Sequence, residues 1–160
     1  MPAHRSTRLR GNAGLAWMLA ALWTGVILLA GSDLGSVTTT SRFLGPLLRW
    51  LFPDTAQATL DQLYFLVREA AHVTEYGVLS LLAQHALGFR WTRIAPRTAG
   101  ALACVLLVAA VDETRQAFTP SRTGSLGDVG LDTLGGVLAL GAAFAYTRAM
   151  HSWRAARERS

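Results

Sequence analysis

Lysine is absent from this 160-residue chain, cysteine occurs once, and charge of either sign is scarce. Each shortage excludes something. The single cysteine, Cys104, cannot close an intramolecular disulfide, so no disulfide framework organises the fold. It lies inside an apolar run and reads as a buried, inert thiol. Charged residues make up only 16% of the chain, against about 25% in ordinary soluble domains. With 51% hydrophobic residues beside that low charge, the composition is that of a membrane protein. The net charge is +5, all of the basic residues being arginine. A basic balance is also found in nucleic-acid-binding chains. Here the arginines sit in short segments flanking apolar runs, where topology signals belong, so no nucleic-acid partner is expected.

What is present is a series of hydrophobic stretches. Arg5, Arg8 and Arg10 precede an apolar run over residues 13–31. A signal peptide has a similar start, but this run is long and no small-x-small cleavage site follows, so a retained first span is expected. Residues 41–52 place Phe43, Leu44, Leu47, Leu48 and Leu51 on one side at helical spacing. The segment is too short to span and suits an amphipathic helix in the interface, with Trp50 at headgroup depth. Asp54 is positioned to cap the next helix, whose span covers about residues 63–87. A third span is expected over 98–116, then a turn-rich loop, then a fourth over 128–147. The fold class is therefore all-α: a polytopic bundle of about four transmembrane helices plus one short interfacial helix, forming a single domain over 1–160.

Topology follows from arginine placement. The amino end and the 88–97 loop carry three arginines each and the carboxyl tail four. With four spans these segments share one side, which puts both termini in the cytoplasm of a cell-membrane protein.

Ionisable residues inside a membrane are costly unless paired or solvated, so they mark candidate sites. The second span carries Arg68, Glu69, His72 and Glu75 in its outer half. The third exits at Asp112, Glu113 and Gln116, and the fourth re-enters at Asp128 and Asp132. Three helices thus bring charge to one depth, near the outer leaflet. At ~100° per residue, Arg68, His72, Glu75 and Tyr76 share a helix face. Asp112 and Gln116 are one turn apart, as are Asp128 and Asp132. An ion-paired packing knot is one reading. The six acids Glu69, Glu75, Asp112, Glu113, Asp128 and Asp132 exceed their local partners Arg68, Arg115, Arg122 and His72, however, and unpaired buried charge is costly. The surplus points to an ion, a protonated carboxyl or water access. Two chemistries stay open. Asp112, Asp128 and Asp132, with His72 and Glu75, form an oxygen-rich set suited to a divalent cation such as Mg or Mn. Alternatively His72 and a carboxylate do general acid–base work. Arg122, beside the start of the fourth span, is placed to hold a phosphate or carboxylate.

Two blocks resemble the VanZ-like family of small membrane proteins, named for a teicoplanin-resistance protein. The first is Arg68-Glu-Ala-Ala-His72-Val-Thr-Glu75-Tyr76, followed by a leucine-rich run. It is similar to the family's basic residue and His-Phe-x-Glu-Tyr. The second runs Asp112-Glu113-Thr-Arg-Gln116-Ala-Phe118-Thr-Pro120-Ser-Arg122-Thr-Gly124-Ser125-Leu-Gly-Asp128-Val-Gly-Leu-Asp132-Thr-Leu-Gly135. It resembles Asp-Glu-x-x-Gln-x-Phe-x-Pro-Gly-Arg-x-Gly-Ser-x-x-Asp-x-x-x-Asp-x-x-Gly. The departures are Val73 for an aromatic, Ser121 for a glycine and Glu69 for a lysine. The resemblance implies a role in the cell envelope and in glycopeptide tolerance.

The expected function is therefore action at the outer leaflet on an envelope component, a lipid-linked phosphate or peptidoglycan precursor. His72 and Glu75 move protons there, and Asp112, Glu113, Asp128 and Asp132 bind a cation or orient water. Arg68, Tyr76, Gln116 and Arg122 hold the ligand. The rival is a non-catalytic protein that sequesters an envelope lipid or an antibiotic with the same residues. A proton-coupled carrier is disfavoured, because no acid lies deep in the cytoplasmic half of the third or fourth span.

Overall fold

The structure, a computed structural model, describes residues 3–32, 37–89, 92–118 and 124–158. Five helices follow in order: α1 (Ala3–Ala30), α2 (Val37–Leu51), α3 (Gln57–Gly88), α4 (Ile94–Ala117) and α5 (Leu126–Arg157). No strand occurs among the described residues.

Helices α1, α4 and α5 are long and apolar enough to cross a membrane. Helix α3 has 32 residues, ~48 Å at the usual rise and more than a bilayer core requires. Arg68, Glu69, His72 and Glu75 interrupt its apolar run. It is not among the three by composition, and it sits at the centre of the bundle, where α1, α4 and α5 all pack against it. Its polar face meets other helices instead of lipid, the arrangement in which intramembrane charge is tolerated. Polarity is inverted accordingly. Leu22, Leu29, Leu107 and Leu138 stay exposed, while Ser80, Asp112, Glu113, Gln116 and Asp132 are buried. A contiguous apolar exterior of this kind needs a lipid solvent.

Contacts fix the directions. His72 meets Asp132 and Ser80 lies 3.2 Å from the Gly136 carbonyl oxygen, so α3 and α5 run parallel. Tyr76 reaches Asp112 while Gln84 bonds Thr98, so α3 and α4 run antiparallel. Glycines permit the closest approach. A Cβ on Gly135 would strike the Val73 backbone, and one on Gly136 would sit 3.3 Å from Val105 and 3.4 Å from the Ser80 Cβ. Small residues at helix contacts are the usual device where lipid removes the hydrophobic drive.

Helix ends differ from the sequence expectation. Helix α1 begins at Ala3 and α5 continues to Arg157, because arginine-rich polar segments extend a helix readily once a span has nucleated it. Asp54 does not cap α3. The N-cap is Ala56, with no side-chain cap bond, and Asp54 lies in the preceding turn. Pro96 falls in the first turn of α4, where its missing N–H needs no intrahelical partner. Helix α2 has 15 residues, too few to span. It starts at Val37 and contains Pro46. Its Arg49 donates to Gln57 Oε1 at 2.7 Å, and Gln57 donates to Asp61 at 2.9 Å, latching it to the start of α3. Trp50 and Leu51 are exposed, as suits an interfacial helix.

Candidate functional site

At the end of the bundle where α1 stops, four helices meet around the buried carboxylates Asp112, Glu113 and Asp132. Asp112, on the last turns of α4, is fully buried. Its Oδ2 accepts from Gln116 Nε2 at 3.0 Å and from the Tyr76 hydroxyl at 3.5 Å. Its Oδ1 accepts from Arg115 at 3.0 Å. Arg115 also donates to the carbonyl of Leu28 in α1. One guanidinium thus satisfies an orphan carbonyl near a helix C-terminus and a buried carboxylate together. Gly31 ends α1 against this carboxylate, since a Cβ there would lie 2.5 Å from Asp112 Oδ1. The indole of Trp23 donates to the Glu75 carbonyl at 2.8 Å, a second tie between α1 and α3.

Asp132, on α5, is treated differently. Its Oδ1 is 3.4 Å from His72 Nδ1, and the two side chains are 1% and 12% exposed. Its Oδ2 is buried and has no hydrogen-bond partner among the described residues. The His72 ring stacks on Tyr76 with centroids 6.4 Å apart. The result is a continuous chain, Asp132–His72–Tyr76–Asp112–Gln116, from α5 through α3 to α4.

The remaining sequence candidates surround it. Glu113 is buried and accepts from the backbone N–H of Ser125 at 2.9 Å. Ser125 is in turn the N-cap of α5, its hydroxyl accepting from the Asp128 N–H at 3.0 Å. A buried acid and a cap therefore dock the start of α5 onto α4, as the dipole of a helix N-terminus favours. Asp112, Asp128 and Asp132 are all within electrostatic reach of Glu113. Arg68 pairs with its neighbour Glu69 at 3.3 Å and, with Glu75, lies within electrostatic reach of His72. Arg122 lies outside the described residues.

The structure thus joins His72, Tyr76, Asp112, Gln116 and Asp132 directly, with Glu113 and Asp128 at the α5 start. Among the described residues, no three histidine, cysteine or acidic side chains are arranged to hold a metal ion. Asp112, Asp128 and Asp132 are not a preformed cation set: Asp112 is consumed by three donors and Asp132 turns to His72. Of the cavities formed by the described residues, one between α2 and α3 and one between α4 and α5 are both lined by other residues than those of this network. The network is packed, with His72 its accessible edge.

Sequence reasoning underrated three contributors. Arg115 figured only as a counter-charge, although its i+3 spacing from Asp112 was readable. Gly31 and the Leu28 carbonyl carry no chemical label, so the part played by α1 had no sequence signal.

No curated protein and no solved structure matches the chain. The family model described as VanZ/LLP1 matches residues 16–147, a stretch that takes in every residue of the network. The chain is a membrane protein belonging to the VanZ/LLP1 family.

Proposed function

We propose that this protein acts at the outer leaflet of the cell membrane on an envelope component carrying an anionic headgroup, with His72 as general base. The observation that carries the reading is Asp132. A packing device satisfies its buried carboxylates, because a half-paired one is costly. Asp112 is built that way and Asp132 is not. Its pairing with Nδ1 orients the imidazole and leaves Nε2 as the ring nitrogen free to take a proton, the division of labour in other His–carboxylate pairs. Tyr76, held by Asp112, packs against the ring and limits its rotation. The substrate hydroxyl or water that gives up its proton meets His72 at its exposed edge, and Arg68 and Arg122 supply charge for a phosphate.

The arginine distribution supports the orientation: both termini and the α3–α4 loop in the cytoplasm, the network outside. The family resemblance supports a lipid-linked phosphate or peptidoglycan precursor as substrate and glycopeptide tolerance as the consequence.

The test uses Asp132→Asn and His72→Gln in cells that produce the chain. Membrane abundance, melting in detergent and teicoplanin tolerance are measured together. Asparagine keeps an acceptor for His72 and removes the like-charge crowding with Asp112 and Asp128. Both variants are expected at parental abundance, with midpoints within about 4 °C of the parent, the shift that ~1 kcal/mol produces in a chain of this size. Both lose tolerance. Collapse of Asp132→Asn in the membrane would make the carboxylate a structural ion-pair partner. Full tolerance in a stable His72→Gln, together with its loss in Arg68→Gln, would replace catalysis by sequestration.

A further inference from the structure

At the opposite end of the bundle from the His72 network, a second feature points to a ligand. A cavity of about 820 Å³ opens where the start of α4 passes the second half of α5. Its volume falls within the roughly 300–1,000 Å³ of small-molecule clefts. Leu102, Val137, Leu140 and Phe144 form its walls, and its polar lining is Gln84, Arg97, Thr98 and Thr147. No acidic side chain lines it among the described residues. Val137 and Phe144 remain exposed, so the cavity opens sideways, toward lipid.

Arg97 is poorly satisfied. Its Nη2 stands 3.5 Å from the Gln84 carbonyl, the outer limit of a hydrogen bond. Its Nε is buried with no partner among the described residues. The guanidinium is pressed against Gly88, where a Cβ would lie 2.6 Å from Nη2, so the chain keeps a glycine to hold it there. Arg97 also sits in the first turn of α4, where the helix dipole disfavours a cation. An anion beside Arg97 offsets both defects. One turn further along α5 from the lining residue Phe144, the Arg148 guanidinium lies over the Phe144 ring, 5.7 Å from its centroid.

We propose that this cavity binds one anionic phospholipid from the leaflet on the α3–α4 loop side. The phosphate sits at Arg97 and Arg148, and an acyl chain lies along the apolar wall between α4 and α5. Charge complementarity selects the occupant: an apolar slot lined by Arg97, with Arg148 over one of its lining rings and no acid among its described residues, fits an acidic amphiphile and rejects a zwitterionic one. The site is separate from the His72 network, and the proposal stands whatever that network does.

The experiment uses the full chain in detergent, titrated with dioleoyl phosphatidylglycerol or dioleoyl phosphatidylcholine. Bound lipid is counted by native mass spectrometry and the melting temperature is followed. One phosphatidylglycerol is expected to bind roughly thirtyfold more tightly than phosphatidylcholine, as about 1 kcal/mol for each of two arginines implies. Only phosphatidylglycerol should raise the melting temperature. Arg97→Gln cuts that preference to roughly fivefold, the share left to Arg148. Gly141→Phe fills the cavity, which Gly141 lines, and its Cβ meets nothing within 4 Å. This variant folds and loses lipid binding, and it decides the matter where Arg97→Gln does not fold. Equal binding of the two lipids, an undiminished preference in folded Arg97→Gln protein, or binding that survives Gly141→Phe overturns the proposal. So does a dimer cross-linked through Phe144 of two copies, which would make the occupant a second chain.

Discussion

Gly135→Ala tests whether the network depends on the closeness of α3 and α5. A Cβ at Gly135 would lie 2.9 Å from the Val73 Cα, 3.0 Å from its carbonyl carbon, and closer still to its oxygen. Carbon–carbon contacts are comfortable at ~3.5–4.0 Å, so the helices must part by roughly 0.5–1 Å. The obstacle is backbone, which cannot swing aside as a side chain can. A gap of that size forfeits about a quarter to a half of each dispersion contact around it, and overpacking in a tight core costs ~1–3 kcal/mol. Alanine returns up to ~1 kcal/mol of helix propensity relative to glycine. Gly130 supplies the control. It is on the same helix, and a Cβ there meets nothing within 4 Å, so Gly130→Ala keeps the propensity gain without the clash. The two variants should differ by ~1–3 kcal/mol, or roughly 2–12 °C in detergent melting temperature, Gly135→Ala being the lower. Asp132 is one turn before Gly135, so the 3.4 Å approach to His72 lengthens as well, and the function assigned to that pair falls with stability. Two alanine variants that melt together would refute the close approach of α3 and α5 and, with it, the geometry of the network.

Further outcomes follow from other contacts. With Cys104 replaced by alanine, Asp54→Cys should react with an impermeant maleimide in intact cells and Thr92→Cys only after permeabilisation; labelling of both from outside would remove the four-span topology. Ser125→Ala removes the side-chain acceptor of the α5 N-cap and should cost ~1 kcal/mol in the same melting assay, whereas no change would mean that the Glu113 contact alone holds the helix start. Gly31→Ala drives a methyl into Asp112 and should free the end of α1, seen as faster protease cleavage between α1 and α2. Unchanged cleavage would show that α1 does not seat on Asp112.

The helical fold was readable because membrane spans announce themselves by long apolar runs. Helix α3 was the test of that logic. Arg68, Glu69, His72 and Glu75 make it polar for a span, and the sequence could assign it only because the charges share a face that other helices must cover. Packing supplied that cover. Helix ends were less legible. Asp54 looked like a cap, yet the turn after α2 runs on to Ala56 before α3 starts, and cap choice depends on the path of a connection that residue identity does not record. The grouping of His72, Asp112 and Asp132 was legible from depth and spacing. Who partners whom was not, because a fraction of a turn of helix rotation decides whether His72 faces Asp112 or Asp132. The contribution of α1 was invisible, since it works through a backbone carbonyl and a missing side chain.

That pairing changes the meaning of the acid surplus. Counted along the sequence, the intramembrane carboxylates form a single set with too few cations. In the folded chain they divide by how they are satisfied. Asp112 accepts from a hydroxyl, an amide and a guanidinium, and Glu113 accepts a backbone N–H at the start of a helix. Those two are answered by the fold itself, and their surroundings leave little for a ligand to add. Asp132 is answered by one imidazole and keeps a buried oxygen open. A membrane interior makes that difference sharper than water would, because no solvent compensates the open oxygen. The satisfied acids pin α1, α4 and α5 into position around α3. The unsatisfied one then faces a histidine that can neither leave, being stacked on Tyr76, nor turn its other nitrogen inward without losing its carboxylate. Rigid acids thus hold the His72–Asp132 pair, and on the proposed function stability and activity reside in different carboxylates of one cluster.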